Sequence, residues 1–404
     1  ILSIYNVPKE IRDEKIKKVL SMNYQKLGLD TLMKFREYVD QTTEQALFDL
    51  ARLLDREKFD VTVLALKPGG PWDQKFRDAG IHLIYDYSCR EATWNPVKKL
   101  GNISKKLRTA ASYRRNGEGL LDVILPGGAD IIVSYSTWDY IHSGFAENAK
   151  SVKYLHGNMG TNPAFRELIL RDRELLPRYH RIVAVSQGSR DSFVEATGIS
   201  RNVEFHFNPM DSDAVRAMAE EPVDLPLDKP LICAVGRLAA EKGFERLIVI
   251  HKRLVEAGID HRLVIVGDGE DRDYIRRTVR AMDAQDSVIL AGYRSNPYPY
   301  MKNSRFVVCS SFTEGLPVIA MEALCLGIPL VSAVPSVGEA FGGETCGLIT
   351  ENDNASLLAG IRKMLTEEDF YQTLKEGAEK RSAFFDGKRM VSEVEDMFLR
   401  MMEE

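Results

Sequence analysis

The chain has 404 residues and a formal net charge of −5, with 44% hydrophobic and 28% charged residues. This length exceeds what one ordinary hydrophobic core supports, so we expect two or three domains, and the composition is that of a soluble globular protein. The small negative charge provides no general field for nucleic acid or a membrane surface. No apolar run reaches the roughly 18 residues of a membrane-spanning helix, and the first residues show no signal-peptide pattern.

Five cysteines are scattered along the chain, at Cys89, Cys233, Cys309, Cys325 and Cys346. No two of them have the C-x-x-C spacing of a zinc site, and the odd number indicates no disulfide framework. Cys233 and Cys309 lie within apolar runs, so we interpret them as small core residues. Reduced thiols favour a cytoplasmic location.

The first half of the chain alternates short apolar runs with amphipathic segments, which is the pattern of βαβ units. The first strand is ambiguous, because residues 17–23 and 33–39 both fit. Residues 46–59 have apolar side chains at helical spacing and are predicted to form an amphipathic helix. The strands predicted after it are 60–66, 81–85, 130–135, 152–156, 181–186 and 203–207.

A basic segment at residues 97–115 contains seven Lys and Arg residues and no acidic residue, with Leu, Ile and Tyr between them. One interpretation is a solvated helix face. The other is an amphipathic surface that contacts anionic lipid and places the protein peripherally at the inner face of a membrane. The sequence alone leaves both interpretations open.

The second half repeats the alternation more regularly, after an Asn-Pro break within residues 207–213. Its predicted strands are 231–236, 262–267, 287–292, 305–310, 329–334 and 347–350, with helices at 244–258 and 270–282 and another at 316–327. The fold class is therefore α/β, with two Rossmann-like, doubly wound domains facing each other across a cleft. We place the first domain at residues 1–208 and the second at 209–385. A cleft between two such domains is a usual place for a ligand.

Two acids stand out in residues 311–330, which read SFTEGLPVIAMEALCLGIPL. Glu314 lies in a loop after a predicted strand, and Glu322 lies about 9 Å along the following helix. Ligands bind at the carboxyl ends of parallel strands, and the first N–H groups of a helix favour an anion. A sugar nucleotide fits this layout, with its diphosphate at the helix start, ribose hydroxyls on Glu322 and donor-sugar hydroxyls on Glu314.

The run EGLPVIAMEALCLGIPLVS resembles the E-x7-E signature of the family 4 glycosyltransferases, which are retaining enzymes with two Rossmann-like domains, the GT-B fold. The same family carries an Arg and a Lys five residues apart after the first strand of its second domain, and GRLAAEKG supplies Arg237 and Lys242 here. Such cations would neutralise a diphosphate while its bond to the sugar breaks. The resemblance is close over residues 230–350 and looser over 151–210. It also implies that residues 386–404 form a helix that packs back on the first domain.

The resemblance implies roles for individual residues. Arg237 and Lys242 stabilise the leaving diphosphate, Glu314 orients the donor sugar and Glu322 binds the ribose. His156, in YLHGN, resembles a family histidine that hydrogen-bonds the donor sugar; the alternative is a capping or core histidine. The other donor-binding residues implied are Gly236, Gly267, Tyr293, Arg294, Gly315, Leu316, Pro317 and Val318. Of these, Tyr293 and Arg294 are expected near the base, and Pro317 in the first turn of the helix.

No H-E-x-x-H motif suggests a metal, which agrees with cationic side chains acting on the diphosphate. We expect a metal-independent, retaining glycosyltransferase that has no cofactor and uses a UDP- or GDP-sugar as its donor substrate. The acceptor would be a glycan or a lipid-linked molecule of cell-surface polysaccharide biosynthesis. In the front-face reaction that the resemblance implies, the departing phosphate oxygen helps to take the acceptor proton.

The sequence departs from the family at one loop, and it is also compatible with two other functions. Family members usually have a Gly-Gly loop after their first strand, whereas this chain offers only residues 24–30 or 40–46, so no N-terminal loop residue is assigned. A sugar-nucleotide epimerase would need acid–base residues at the sugar and no acceptor. A non-catalytic sugar or nucleotide binder would not need to neutralise a leaving group. The nucleotide, the sugar, the acceptor and the oligomeric state are not readable from the sequence.

Overall fold

The structure, a computed structural model, describes residues 41–65, 72–85, 128–135 and 149–404. The polypeptide divides into two compact units. Unit 1 comprises the described residues up to Met210 together with Lys388–Glu404, and unit 2 is Asp211–Gly387. The two candidate first strands and the basic segment 97–115 lie outside the described residues.

Unit 1 alternates strands and helices along its described residues. In chain order its elements are α1 (Gln41–Leu53), β1 (Thr62–Ala65), α2 (Asp73–Asp78), β2 (His82–Tyr85), β3 (Ile131–Ser134), β4 (Lys150–Leu155), α3 (Pro163–Arg171), β5 (Arg181–Ala184), α4 (Gln187–Thr197) and β6 (Val203–Phe205). Strands β1 and β2 pair in parallel, and β3, β4, β5 and β6 form a parallel sheet in that order. All six predicted strands are confirmed, with ends that differ by one or two residues.

Helix α1 starts and ends earlier than the predicted helix 46–59, so that prediction was wrong at both ends. Asp55 explains the early end: its carboxylate accepts the Glu57 N–H at 3.0 Å, and its carbonyl oxygen accepts the Lys58 N–H at 3.1 Å. A short acidic side chain that bonds to the nearby backbone in this way competes with helix continuation. The early start places most of the candidate loop 40–46 inside α1.

Unit 2 follows the same alternation through six strands. In chain order its elements are α5 (Ser212–Ala219), β7 (Leu231–Val235), α6 (Phe244–Glu256), β8 (Arg262–Val266), α7 (Arg272–Ala281), β9 (Val288–Gly292), α8 (Tyr298–Lys302), β10 (Phe306–Cys309), α9 (Val318–Cys325), β11 (Leu330–Ser332), α10 (Val337–Phe341), β12 (Gly347–Ile349), α11 (Asn354–Thr366) and α12 (Glu368–Ser382). The strands are parallel in the order β12-β11-β10-β7-β8-β9. This is the Rossmann order, in which the direction of winding reverses between β7 and β10.

The central strands of unit 2 are buried on both faces. Ile232 and Ala234 in β7, together with Leu263 and Ile265 in β8, are at most 1% exposed and pack in one hydrophobic core with side chains of the surrounding helices. Strands covered by helices on both faces read as continuous apolar runs, which is why the sequence pattern located them. The predicted α/β class with parallel sheets is confirmed.

The four described cysteines are buried free thiols. Cys233 and Cys309 lie within β7 and β10, where burial raises the pKa of both thiols. Burial also raises the pKa of Cys325 and of Cys346 to about 11. Thiols with raised pKa values are poor nucleophiles, so these residues act as core side chains. Cys89 lies outside the described residues.

Two histidines form a buried hydrogen-bonded pair in unit 2. His261 Nδ1 lies 2.8 Å from the Ile259 carbonyl oxygen, so this nitrogen carries the proton and Nε2 accepts. His251 Nδ1–H then donates to His261 Nε2 at 2.8 Å, and His251 Nε2 accepts the Ser287 hydroxyl at 2.9 Å. Burial lowers the pKa of His251 to about 3 and also lowers the pKa of His261. Both rings are therefore neutral at neutral pH.

The last helix, α13 (Gly387–Glu403), contributes to the core of unit 1. Val394 and Phe398 are buried among apolar side chains of α1 and β4. Glu395 accepts the N–H of Asp55 at 2.7 Å, just beyond the end of α1. An apolar stripe on α13 thus completes a hydrophobic core that begins more than three hundred residues earlier in the sequence.

Candidate functional site

The loops that carry the predicted donor site meet at the carboxyl edge of the six-stranded sheet. Strands β7 and β10 are neighbours there, although β8 and β9 lie between them in the sequence. The loop after β7 carries Arg237 and Lys242, and the loop after β10 carries Glu314. Because the winding reverses at this pair of strands, the two loops border the crevice in which open α/β sheets bind ligands.

Lys242 and Glu314 form an ion pair between these two loops. Lys242 ends the 3₁₀ turn Ala240–Lys242, and its Nζ lies 2.5 Å from Glu314 Oε1. The same carboxylate oxygen accepts the Ser311 hydroxyl at 2.8 Å. The side chains of Lys242 and Glu314 are 21% and 17% exposed, so the pair is largely shielded from solvent yet reachable by a ligand.

Arg237 is held by two carboxylates. Its Nη2 lies 2.5 Å from Glu241 Oε1, and its Nη1 donates to Glu270 Oε1 at 3.2 Å. Burial raises the pKa of the neighbouring Asp271, and the negative charges of Glu270 and Glu241 raise it further. The side chain of Arg237 is 38% exposed. The guanidinium is therefore fixed by two acids and still accessible to an anionic ligand.

Gly236 and Gly267 allow the loops after β7 and β8 to contact each other. A Cβ atom at Gly267 would lie 1.9 Å from the carbonyl oxygen of Gly236, a distance that no side chain can occupy. The Leu238 N–H donates to the Asp268 carbonyl oxygen at 3.0 Å and joins the two loops further along. Backbone packing thus requires glycine at position 267, while the predicted role of both glycines in donor binding stays a prediction.

Helix α9 begins at Val318, so Pro317 precedes the helix and the prediction that it lies in the first turn was wrong. The backbone of Pro317 is extended, with φ −65° and ψ 120°. Gly315 and the buried Leu316 lead into it. No side chain caps this helix, and the first N–H groups of a helix lack intrahelical partners. The start of α9 is therefore suited to an anion.

Two of the remaining predicted residues of unit 2 are hydrogen-bonded to tyrosine hydroxyl groups. Glu322, in α9, accepts a hydrogen bond from the Tyr298 hydroxyl at 3.0 Å. Arg294 Nε donates to the Tyr300 hydroxyl at 2.9 Å, and Tyr293 is 54% exposed. Tyr293 and Arg294 follow β9, the outer strand beside β8, so they lie at the same carboxyl edge of the sheet.

His156 belongs to unit 1, where it directly follows β4. Its Nε2 lies 2.7 Å from the Tyr135 carbonyl oxygen, so Nε2 carries the proton. The ring centroid lies 4.8 Å from that of Tyr135 and 6.0 Å from that of Tyr154. These contacts hold a half-buried imidazole in place, and its role toward the donor sugar stays a prediction.

Among the described residues there is neither a cluster of potential metal ligands nor a helix suited to span a membrane. No group of three or more His, Cys, Asp or Glu side chains among these residues could hold a metal ion. None of the helices they form combines the length and the apolar character that crossing a bilayer requires. The basic segment 97–115 lies outside these residues, so its contact with a membrane stays a prediction.

Several side chains of this site were not anticipated from the sequence. They are Glu241, Glu270, Tyr298 and Ser311; of these, Glu241 lies in the GRLAAEKG run and Ser311 in residues 311–330. The motifs located the loops, but only the folded chain shows that Glu270 reaches an arginine 33 residues away. The one available signal was the additional acid, Glu241, inside the GRLAAEKG run.

Two family models match the chain one after the other. Glycosyltransferase Family 4 matches residues 43–214, and Glycosyl transferases group 1 matches residues 215–381. Only the two ends of the chain remain unmatched. The second match contains every predicted donor-site residue of unit 2, and the first contains His156.

Similar proteins agree with these matches. The N-acetylgalactosamine-N,N'-diacetylbacillosaminyl-diphospho-undecaprenol 4-alpha-N-acetylgalactosaminyltransferase of Campylobacter jejuni is 30% identical over 216 residues, 52% of this chain and 58% of that protein, so the chain spans less than two thirds of its length. An uncharacterized glycosyltransferase of Haemophilus influenzae is 21% identical over 87% of this chain and 94% of its own. The fold is similar to that of Anabaena Alr3699/HepE in complex with UDP, with a TM-score of 0.70 and 17% identity over 89% of this chain and 96% of that one. The chain therefore belongs to the family 4 (group 1) glycosyltransferases of GT-B fold.

Proposed function

We propose that the protein transfers a sugar from a UDP- or GDP-sugar to a glycan or lipid-linked acceptor, with retention of configuration and without a metal. The observation that carries the proposal is the Lys242–Glu314 ion pair, which joins the loops after β7 and β10 where the winding of the sheet reverses. Arg237 lies in the first of these loops, so the two loops together carry two cations and one acid. A diphosphate attached to a sugar presents the complementary charge and hydroxyl groups.

Arg237 and Lys242 stabilise the leaving group in this proposal. Negative charge grows on the diphosphate as its bond to the sugar breaks, and fixed cations aimed at that charge lower the barrier. One such group is worth on the order of 3 kcal/mol. The two cations supply the neutralisation that a divalent metal would otherwise provide, which supports a metal-independent reaction. The departing phosphate oxygen takes the acceptor proton on the face from which it leaves.

Glu314 and Glu322 divide the recognition of the donor between them. Glu314, fixed by Ser311, orients the hydroxyl groups of the sugar. Glu322, fixed by Tyr298, accepts the vicinal hydroxyl groups of the ribose. The start of α9 binds the diphosphate between them, because its N–H groups have no intrahelical partner.

The names of similar proteins support the proposed acceptor class. The Campylobacter jejuni relative is named for an acceptor linked to diphospho-undecaprenol, and the solved Alr3699/HepE structures contain UDP, UDP-glucose or UDP with glucose. These names support a nucleotide sugar as donor and a glycan or a lipid-linked glycan of a cell-surface polysaccharide as acceptor. The basic segment 97–115 would bring the protein to a lipid-linked acceptor.

A calorimetric titration with UDP and with GDP, both in EDTA, tests the donor site. We expect one of the two to bind, and we expect Glu322→Ala to abolish that binding. Glu376→Ala is the matched control, because Glu376 is an exposed acid on α12 of the same unit. Binding that disappears in EDTA and returns with a divalent cation would contradict the metal-independent site. If neither nucleotide binds, the proposed function is wrong.

A further inference from the structure

Arg246 is buried beneath the loop that follows β10. The residue is 5% exposed and lies in the first turn of α6. Its Nε and Nη2 donate to the Ser310 carbonyl oxygen at 2.8 and 2.6 Å, and Nη2 also donates to the Ser311 carbonyl oxygen at 2.9 Å. The ring of Phe312 covers the guanidinium, 4.0 Å from Cζ to the ring centroid. One side chain thus binds two consecutive carbonyl groups and the ring of the next residue.

The serines that Arg246 holds connect directly to the candidate catalytic pair. The Ser310 hydroxyl donates to the Lys242 carbonyl oxygen at 2.9 Å. The Ser311 hydroxyl donates to the Glu314 carboxylate at 2.8 Å. The backbone that carries both hydroxyl groups is the backbone fixed by Arg246. Movement of this loop would therefore move the Lys242–Glu314 pair as well.

Burial of the Arg246 guanidinium carries an electrostatic cost. Its Nη1 is buried without a hydrogen-bond partner. Desolvation also lowers the pKa of Arg246. The other nitrogens offset this cost by donating to the carbonyl groups of the buried Ser310 and Ser311, which an apolar side chain would leave without that donor. The guanidinium also fixes the orientation of this loop, since its planar fork binds the two neighbouring carbonyl groups in one arrangement.

We propose that Arg246 is a positioning residue for the donor site, which fixes the loop 310–314 so that Glu314 faces the donor sugar. The inference rests on the proposed function. Arg246 itself touches neither the sugar nor the diphosphate in this arrangement. Its loss should therefore impair the chemical step more than the binding of the nucleotide. Phe312 assists by covering the guanidinium on one face.

The test compares Arg246→Met, Arg246→Lys and the control Arg253→Met, which changes an exposed arginine on the same helix. Calorimetry measures the affinity for UDP and GDP. Nucleotide release from UDP-glucose, UDP-N-acetylgalactosamine and GDP-mannose gives kcat and KM. We expect Arg246→Met to keep nucleotide affinity within about threefold and to lower kcat by about tenfold or more. Arg246→Lys should recover part of kcat, because an ammonium group can still donate to one carbonyl, and Arg253→Met should match the wild type.

The outcomes separate this inference from the proposed function. An unchanged kcat in Arg246→Met would overturn the positioning role, and so would equal losses of kcat and nucleotide affinity, because a merely structural defect lowers both. If Arg246→Met does not fold, Phe312→Leu replaces it, since Phe312 is 53% exposed and its loss should lower kcat without unfolding the protein. An unchanged kcat in that variant would likewise overturn the role. A wild type that neither binds nor turns over any of these nucleotides refutes the proposed function first.

Discussion

Replacing Lys242 by methionine tests the leaving-group role most directly. In the resting protein Lys242 Nζ lies 2.5 Å from Glu314, with the two side chains 21% and 17% exposed. A diphosphate must draw the ammonium group away from this carboxylate, so part of the attraction to the ligand is offset by the lost ion pair. Exposed pairs contribute about 0.2–1 kcal/mol, and this shielded pair should lie at or above the upper end. Nucleotide binding should therefore weaken by only about tenfold or less in Lys242→Met.

The chemical step should respond much more strongly to the same change. Charge on the diphosphate is largest in the transition state, where one well-placed donor is worth on the order of 3 kcal/mol, so kcat should fall on the order of 10²–10³-fold. Single-turnover transfer and nucleotide calorimetry measure the two effects separately. Lys229→Met is the control, because it removes the exposed Lys229–Asp260 pair of the same unit. If kcat and nucleotide affinity fall by the same factor, Lys242 binds the diphosphate without stabilising its departure.

Three further predictions follow from contacts inside unit 2. Tyr298→Phe removes the hydrogen bond to Glu322 and should weaken nucleotide binding about fivefold by calorimetry; unchanged affinity would show that the bond does not orient the carboxylate. Gly243→Ala should lower the thermal unfolding temperature more than Gly258→Ala. Both backbones are left-handed, but only at Gly243 would a Cβ lie 2.2 Å from a backbone carbonyl oxygen, so equal losses would contradict this contact. His251 and the histidine it contacts have folded-state pKa values below the unfolded value near 6.5, so their stabilisation is complete above pH 6.5 and declines toward pH 3. Between about pH 7 and about pH 5.5, urea unfolding should show a total loss of about 1.3 kcal/mol in the free energy of unfolding from His251, and no loss would refute a neutral pair.

The strands of unit 2 were predicted well from the sequence because the central ones are buried on both faces. In unit 2 each central strand is covered on both faces, so a short apolar run that ends near a glycine corresponds directly to a strand. The motif residues then fall at the carboxyl ends of those strands, which places Arg237 and Glu314 at the ligand-binding edge before any coordinates are known. Helix α1 was less predictable, since Asp55 ends it through hydrogen bonds that apolar spacing does not reveal.

The side-chain contacts that orient the candidate site could not be predicted from the sequence. Glu270 reaches Arg237, and Tyr298 reaches Glu322, only because β8, β9 and β10 bring their loops to one edge of the sheet. Nothing in the spacing of these residues specifies such pairs, since the two members of each pair lie in different loops or helices. The sequence pattern therefore predicted which loops form the candidate site, whereas the side-chain contacts within the site are known only from the structure.

The proposed roles of Lys242 and Glu314 require their ion pair to break when a donor binds. Lys242 holds Glu314 in the structure, and the proposed function gives one of them the diphosphate and the other the sugar. When the ammonium group turns to the diphosphate, the carboxylate loses its cation and gains capacity to accept hydroxyl groups. Phosphate binding and sugar recognition would then be coupled through the breaking of one ion pair. A free nucleotide and a nucleotide sugar should accordingly differ in how strongly Glu314→Gln weakens them, with the larger loss for the nucleotide sugar in calorimetric titrations. Equal losses would show that Glu314 does not contact the sugar.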